Sequence, residues 1–358
     1  MIAIEAIMNQ VLLNCNIADS QHAGLYSICG LALRLRDLFK WENGLDPWIE
    51  KDSAEVLEWI GAKEEKWEEL AEKGFNAITI MGSNYDPFDT SGINAELEPH
   101  GFFYGAGYAQ RLKPTFFLAV VENKEKINGY PVYILGRELA RDLLTLPALL
   151  QDDCILVRQK SARLYLWDRI FYIKKSGRFA LKFALENCGL QEHSPEELHR
   201  SLDAIVAAET GTYIYHELGE LQDTVFDRRI WREIVAAFPH TPMELLARTV
   251  KDLLADTCEQ GTLHYIIRKR KTASLAFYVA FLEGLTKELF PEIIDAFREF
   301  THTHHWDLVI KATAKGFNTA RYHAEAISDI FQKGMQKNDK QWIENEIAMR
   351  LLRPLGVT

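Results

Sequence analysis

Two kinds of hydrophobic spacing divide the chain. Up to about residue 176, helical runs alternate with short β-rich runs; beyond it, apolar residues recur three and four apart almost to the end. Residues 2–13 read as a short apolar helix. Asp19 or Ser20 stands where it can cap a second helix, whose core face would be Leu25, Ile28, Ala32, Leu35 and Phe39. Gly44 and Pro47 break the chain after Trp41, and residues 53–72 read as a charged amphipathic helix with Val56, Ile60, Trp67 and Leu70 inward. Residues 77–81, 115–121 and 130–135 are β-rich runs. The last two are joined by the polar connector 122–129, which predicts a hairpin with a long turn. A helix around residues 137–150, interrupted by Pro147, precedes a fourth β run at 155–158. Residues 164–173 fit helix or strand.

From about Phe179 the helical period dominates, with turns marked by Gly189, Pro195, Pro239, Pro242, Gly261, Pro291 and Gly316. Ser194-Pro195-Glu196-Glu197 is a helix start: a capping hydroxyl, proline at the first position, then acids at the positive end of the dipole. Thr241-Pro242-Met243-Glu244 repeats the device. The pattern predicts about eight helices here. The expected fold is an α+β domain with a small antiparallel sheet over residues 1–176, followed by an all-α helical domain over 177–358, mainly α overall.

Composition narrows the class. The 358 residues are 47% hydrophobic and 26% charged, ordinary proportions for a globular chain long enough for two cores. The net charge of −10 argues against general nucleic-acid binding and against an anionic membrane surface, which both select basic faces. The basic run Arg268-Lys269-Arg270-Lys271 reads as the exposed end of a helix. Five widely spaced cysteines without a CxxC pair fit a reducing compartment. The N-terminal residues carry Glu5 and no basic segment, so no secretory signal is expected. No apolar run has the length of a membrane span: 273–289 contains Glu283, Lys287 and Glu288 and reads as a buried helix. These features predict a cytoplasmic protein.

The chemistry concentrates on one stripe. At about 100° per residue, Glu209, Tyr213, His216 and Glu220 share a helix face that one turn earlier reads Leu198, Leu202 and Ile205. Carboxylate and imidazole suit Zn, Fe or Mn, so Glu209, His216 and Glu220 are the candidate metal ligands and Glu217 is the candidate catalytic base. The pattern is neither Glu-x-x-His nor a zinc-protease helix, since Tyr213 precedes His216 by three and residue 220 is glutamate. If Gly211 breaks the helix, the stripe Ile214, Leu218, Leu221 and Val225 turns inward and the polar stripe faces water.

Other groups carry less. Asp252 and Asp256 continue the ladder Glu244, Arg248 and read as a solvated, ion-paired face, with His264 nearby. Cys15, Asp19, His22 and Cys29 are zinc-compatible types, but the Cys-x6-His-x6-Cys spacing fits no zinc knuckle, and Cys29 is expected as a buried thiol. The glycine-rich segment 101–108 lacks the dinucleotide fingerprint, and Phe102, Phe103, Tyr104 and Tyr108 beside Phe116 and Phe117 predict a sheet and loop packed on an aromatic core. Its aromatics make Tyr104 and Tyr108 candidates for a small-molecule or peptide groove. His302, His304 and His305 read as an exposed helix junction.

The stretch Ser27-Ile-Cys-Gly-Leu-Ala-Leu-Arg34-Leu-Arg36-Asp37-Leu-Phe-Lys-Trp41-Glu42, with Tyr104-Gly-Ala-Gly-Tyr108, Lys113-Pro-Thr-Phe-Phe-Leu and Tyr215-His-Glu-Leu-Gly-Glu220, resembles an uncharacterised bacterial protein family with no assigned function. The resemblance implies no activity. Two functions follow from the residues: a helical domain holding a transition metal or small ligand, or a non-enzymatic regulatory protein that binds a protein or small-molecule partner. A homo-oligomer is compatible with both.

Overall fold

The computed structural model describes residues 2–109, 112–190 and 194–356. The chain forms two compact units, Met1–Trp167 and Asp168–Thr358.

The first unit contains α1 (Ile4–His22), α2 (Ile28–Glu42), α3 (Ser53–Glu68), a small ribbon of β1 (Ile78–Ile80) with β2 (Ser83–Tyr85), and α4 (Thr90–Leu97). A five-stranded sheet follows, built from β3 (Phe102–Tyr108), β4 (Pro114–Ile127), β5 (Tyr130–Arg141), β6 (Ala148–Gln151) and β7 (Cys154–Arg158). Its order is β3-β4-β5-β7-β6; only β5 with β7 is parallel. Alternation along β4 sorts side chains to two cores. Phe116 and Leu118 meet Ile7, Val11, Cys15 and Ala18 of α1. Phe117 and Ala119 meet Phe103, Tyr133, Leu135 and Leu156 on the other face.

The sheet curls until its edges approach. Gln151, at the end of β6, accepts from the Ala106 N–H at 3.0 Å and donates to the Tyr104 carbonyl at 3.1 Å. Asn94 of α4 holds the Tyr104 N–H and carbonyl, each at 2.8 Å. Side chains thus occupy edge groups of β3 that would otherwise stay open for pairing.

Several elements depart from the sequence expectation. The 122–129 connector is not a long turn. β4 and β5 stay paired to its tip, where Asn128 and Gly129 both have positive φ, 50° and 90°. A solvated ribbon tolerates polar residues on both faces, and Lys124 stacks over Tyr133 at 4.4 Å. No helix spans 137–150; β5 continues to Arg141 and β6 begins at Ala148. The helix-like spacing there came from Glu138 and Arg141, which are buried ions rather than surface groups. Residues 102–108 form strand β3, in keeping with the expected sheet, and Gly105 is required because a Cβ would lie 1.9 Å from the Phe117 ring. α1 runs to His22, so Asp19 and Ser20 lie inside it; Ser27 caps α2 by accepting from Gly30 N–H at 3.1 Å. Leu35 and Phe39 are buried as expected, whereas Ile28 and Ala32 are exposed. Residues 164–173 belong mostly to a helix, α5 (Gln159–Phe171).

The second unit is helical: α6 (Arg178–Asn187), α7 (Pro195–Gln222), α8 (Arg228–Ala237), α9 (Pro242–Thr257), α10 (Thr262–Lys269), α11 (Thr272–Ala280), α12 (Gly284–Leu289), α13 (Pro291–Thr303), α14 (Trp306–Lys337) and α15 (Lys340–Ile347). Both predicted caps form: Ser194 accepts from Glu197 N–H at 3.2 Å and Thr241 from Glu244 N–H at 3.3 Å. Ten helices stand among the described residues instead of about eight, partly because the apolar run 273–289 divides into α11 and α12. No helix among the described residues is long and apolar enough to cross a membrane.

Candidate functional site

α7 does not break at Gly211. The helix runs unbroken for 28 residues, and the space a Cβ would need at Gly211 is filled by the Tyr265 hydroxyl, 2.1 Å from that position. The apolar stripe Ile214, Leu218 and Leu221 is buried, and so are Glu209 and Glu217. α7 is therefore buried on more than one side, which the two-way choice between an inward and an outward polar stripe did not foresee.

Gly219 sets the crossing with α9. A Cβ there would lie 2.2 Å from the Ala255 carbonyl oxygen, so the helices meet backbone to backbone. At that separation, side chains one turn away on each helix reach each other. His216 Nδ1 lies 2.8 Å from Asp256 Oδ1, and the Tyr278 hydroxyl of α11 donates to Asp256 Oδ2 at 3.0 Å. Glu220 Oε2 pairs with Lys251. Its other oxygen, Oε1, lies 3.8 Å from His216 Nε2. One donor atom each from His216, Glu220 and Asp252 lie within 4.8 Å of one another. Glu217 is buried beside them and makes no hydrogen bond among the described residues.

Four carboxylates, Glu217, Glu220, Asp252 and Asp256, thus share two cations, His216 and Lys251. The titrations follow from this imbalance. Burial disfavours the charged imidazole, but Asp256, then Glu217 and Glu220, outweigh it and push the His216 pKa up to about 10. Burial first, then Glu220 and Asp252, push Glu217 up to about 7, against His216 and Lys251. Asp252 keeps one side in solvent, yet desolvation by its crowded surroundings, then Glu220 and Asp256, push it up to about 6. For Glu220, burial is outweighed by Lys251 and His216, which hold the carboxyl below its usual range.

The sequence candidates separate in space. His216, Glu220 and Glu217 come together, whereas Glu209, seven residues and about 10 Å along the axis from His216, takes other partners. It accepts from the hydroxyls of Ser274 and Thr212. Tyr213 is half-buried. Asp252 and Asp256, expected on a solvated face, complete the His216 group; Arg248 does pair with Glu244, at 2.8 Å. His264 is not in the group. Sequence reasoning missed Lys251 and Tyr278. The small residues Gly219 and Ala255, each within a turn of the acids, were the available signal that α7 and α9 meet there.

The remaining candidates stand apart. Tyr104 is fully buried, with its hydroxyl donating to the Pro87 carbonyl at 2.7 Å, while Tyr108 is 63% exposed and stacks on Phe88 at 5.1 Å. Cys15 donates to the Phe116 carbonyl and Asp19 pairs with Lys113. Cys29, expected buried, is exposed, because that turn of α2 faces solvent. His302, His304 and His305 are exposed. A cavity of about 420 Å³ at the start of α9, lined by Thr241, Met243, Glu344, Ile347, Leu352 and Arg353 among others, includes none of the His216 group.

Two family models match the chain. Residues 6–158 match the N-terminal domain, and residues 163–350 the C-terminal domain, of a family of unknown function (DUF6866). Comparison with curated proteins and with solved structures finds no match.

Proposed function

We propose that this chain, which belongs to the DUF6866 family, uses its helical unit to hold a divalent transition-metal ion on His216, Glu220 and Asp252. One observation carries the reading: His216 Nδ1 is held by Asp256 at 2.8 Å while Nε2 faces the Glu220 oxygen that Lys251 leaves free, 3.8 Å away. Two donors each about 2.0–2.2 Å from one ion stand roughly 3–4 Å apart, so this spacing suits a shared ion. A carboxylate on the far ring nitrogen is the usual outer support of a ligating histidine, since it fixes the tautomer and ring orientation. Here Tyr278 fixes the carboxylate in turn. One imidazole and two carboxylates form a set that Mn, Fe or Zn accepts.

The charge count supports the same reading. A divalent cation bound through the neutral imidazole displaces the His216 proton and still cuts the two-carboxylate excess to one. An ion there would polarise a substrate oxygen or activate water, and Glu217, buried next to His216 in the helix, is our candidate to accept the proton. Glu209 has no part in this proposal. The free cysteines are those of a protein of a reducing compartment, the cytoplasm in our reading.

The test is thermal unfolding of metal-stripped protein with added Mn²⁺ or Zn²⁺. A saturable rise in Tm is expected for the wild type and not for His216→Ala. No rise in the wild type, or an equal rise in the variant, contradicts the assignment.

A further inference from the structure

The curled-sheet unit holds a second polar cluster whose groups are not all satisfied. On the face of the sheet that buries Phe103 and Leu156, Phe117 of β4 stands opposite Arg141 of β5. The Arg158 guanidinium of β7 lies 4.3 Å from the Phe117 ring. Glu138 Oε1 accepts from Arg158 Nε at 2.8 Å and from the Ser161 hydroxyl at 2.8 Å. Its other oxygen, Oε2, is 4.0 Å from Arg141 Nη1, beyond hydrogen-bond reach. Arg141 and Arg158 are each 1% exposed.

Four buried atoms of this cluster have no hydrogen-bond partner among the described residues: Arg141 Nη1 and Nη2, Arg158 Nη2 and Glu138 Oε2. The nearby ions do not answer them. Lys113 is taken by Asp19 at 2.9 Å and Asp142 at 3.1 Å. Each of the three nitrogens carries two hydrogens, against two unpartnered buried oxygens of this unit among the described residues, Glu138 Oε2 and Thr115 Oγ1. Buried donors are not normally left without acceptors. The excess of donors therefore favours a partner rich in acceptors. Water brings as many donors as acceptors, whereas an oxyanion brings acceptors only, and its paired oxygens match the guanidinium fork.

Charge limits the choice further. With Lys113 taken by Asp19 and Asp142, Arg141 and Arg158 exceed Glu138 by one positive charge within the cluster; one negative charge on the ligand offsets it, and a second would exceed it. We propose that this unit carries an internal oxyanion site in which Arg141, through both Nη atoms, and Arg158, through Nη2, hold a small monocarboxylate. Glu138 positions the Arg158 fork, and the Phe117 ring supports its face. The site shares no residue with the metal group, and the two proposals stand or fall separately.

The test uses the full chain. Purified protein is denatured and its released anions are identified by ion chromatography and mass spectrometry. Dialysed protein is then unfolded thermally in sodium acetate, sodium phosphate and sodium chloride at matched ionic strength. The expected result is about one equivalent of small carboxylate released per chain, or, where the protein is isolated empty, a saturable Tm rise specific to acetate. That rise is lost in Arg141→Met. Should that variant not fold, Arg141→Lys serves instead, because it keeps the charge, removes the fork and is expected to blunt the rise. No released anion together with no acetate-specific rise overturns the site, as does a full rise in Arg141→Lys. Preference for phosphate overturns the monocarboxylate assignment.

Discussion

The two nitrogens of His216 face different partners, and each can be tested separately. Asp256 holds Nδ1 without being a proposed ligand, so Asp256→Asn is expected to leave the ligand set intact and to weaken Mn²⁺ or Zn²⁺ binding about 10–100-fold, as read by calorimetric titration; unchanged affinity would contradict the role of Asp256. In the other unit, Asp19 has its pKa pushed up to about 6, chiefly by burial and partly by Asp142, against the pull of Lys113. The folded chain therefore binds this proton before the unfolded chain does. The contribution of Asp19 to stability rises as pH falls from about 6 toward 4 and is smallest above that window. Relative to Asp19→Asn, the wild type is expected to gain on the order of 1–3 kcal/mol between pH 7.5 and 4.5, measured by urea unfolding. An opposite slope would contradict the sign. At this scale spacing named Glu209, His216 and Glu220 as ligands, with Glu217 the candidate base; His216 and Glu220 lie near each other, while Glu209 takes other partners. The same reading set Asp252 and Asp256 aside because an i,i+4 ladder with Arg248 looks the same whether or not another helix lies across it.

Elements were legible where their signals are local. Ser194 and Thr241 mark the starts of α7 and α9 because a cap needs only the next three residues. The segment 137–150 was misread because buried Glu138 and Arg141 occupy positions where periodicity expects apolar residues, and their partners lie on other strands. The crossing of α7 and α9 was legible only in part: the small residues Gly219 and Ala255 mark a close approach, but nothing local to either says which helix fills it. That crossing predicts the behaviour of Gly219→Ala. Alanine contributes up to about 1 kcal/mol of helix propensity, but its Cβ meets the Ala255 carbonyl at 2.2 Å. Backbone cannot yield as a side-chain tip can, so overpacking of roughly 1–3 kcal/mol wins and the helices separate. Lower stability in denaturant and weaker metal binding are expected together; a stabilised variant with unchanged metal affinity would show that the close approach does not build the site.

Across the whole molecule, the α+β and all-α characters of the two halves follow from the change of hydrophobic period, and both appear in the fold. Each unit encloses charge. In the sheet-bearing unit, acids and bases pair within the core; in the helical unit, four carboxylates gather around His216 and Lys251. In a chain of net charge −10, that excess is the strongest reason to expect a cation rather than an anion at α7 and α9. The central claim is that one divalent ion binds there, and the most direct measurement is calorimetric titration of Mn²⁺ into metal-free full-length wild type and Asp252→Asn. The account predicts a single site per chain in the wild type, weakened at least about tenfold, or roughly 1.4 kcal/mol, in the variant. No binding by the wild type at millimolar Mn²⁺, or equal affinity in both proteins, would contradict it.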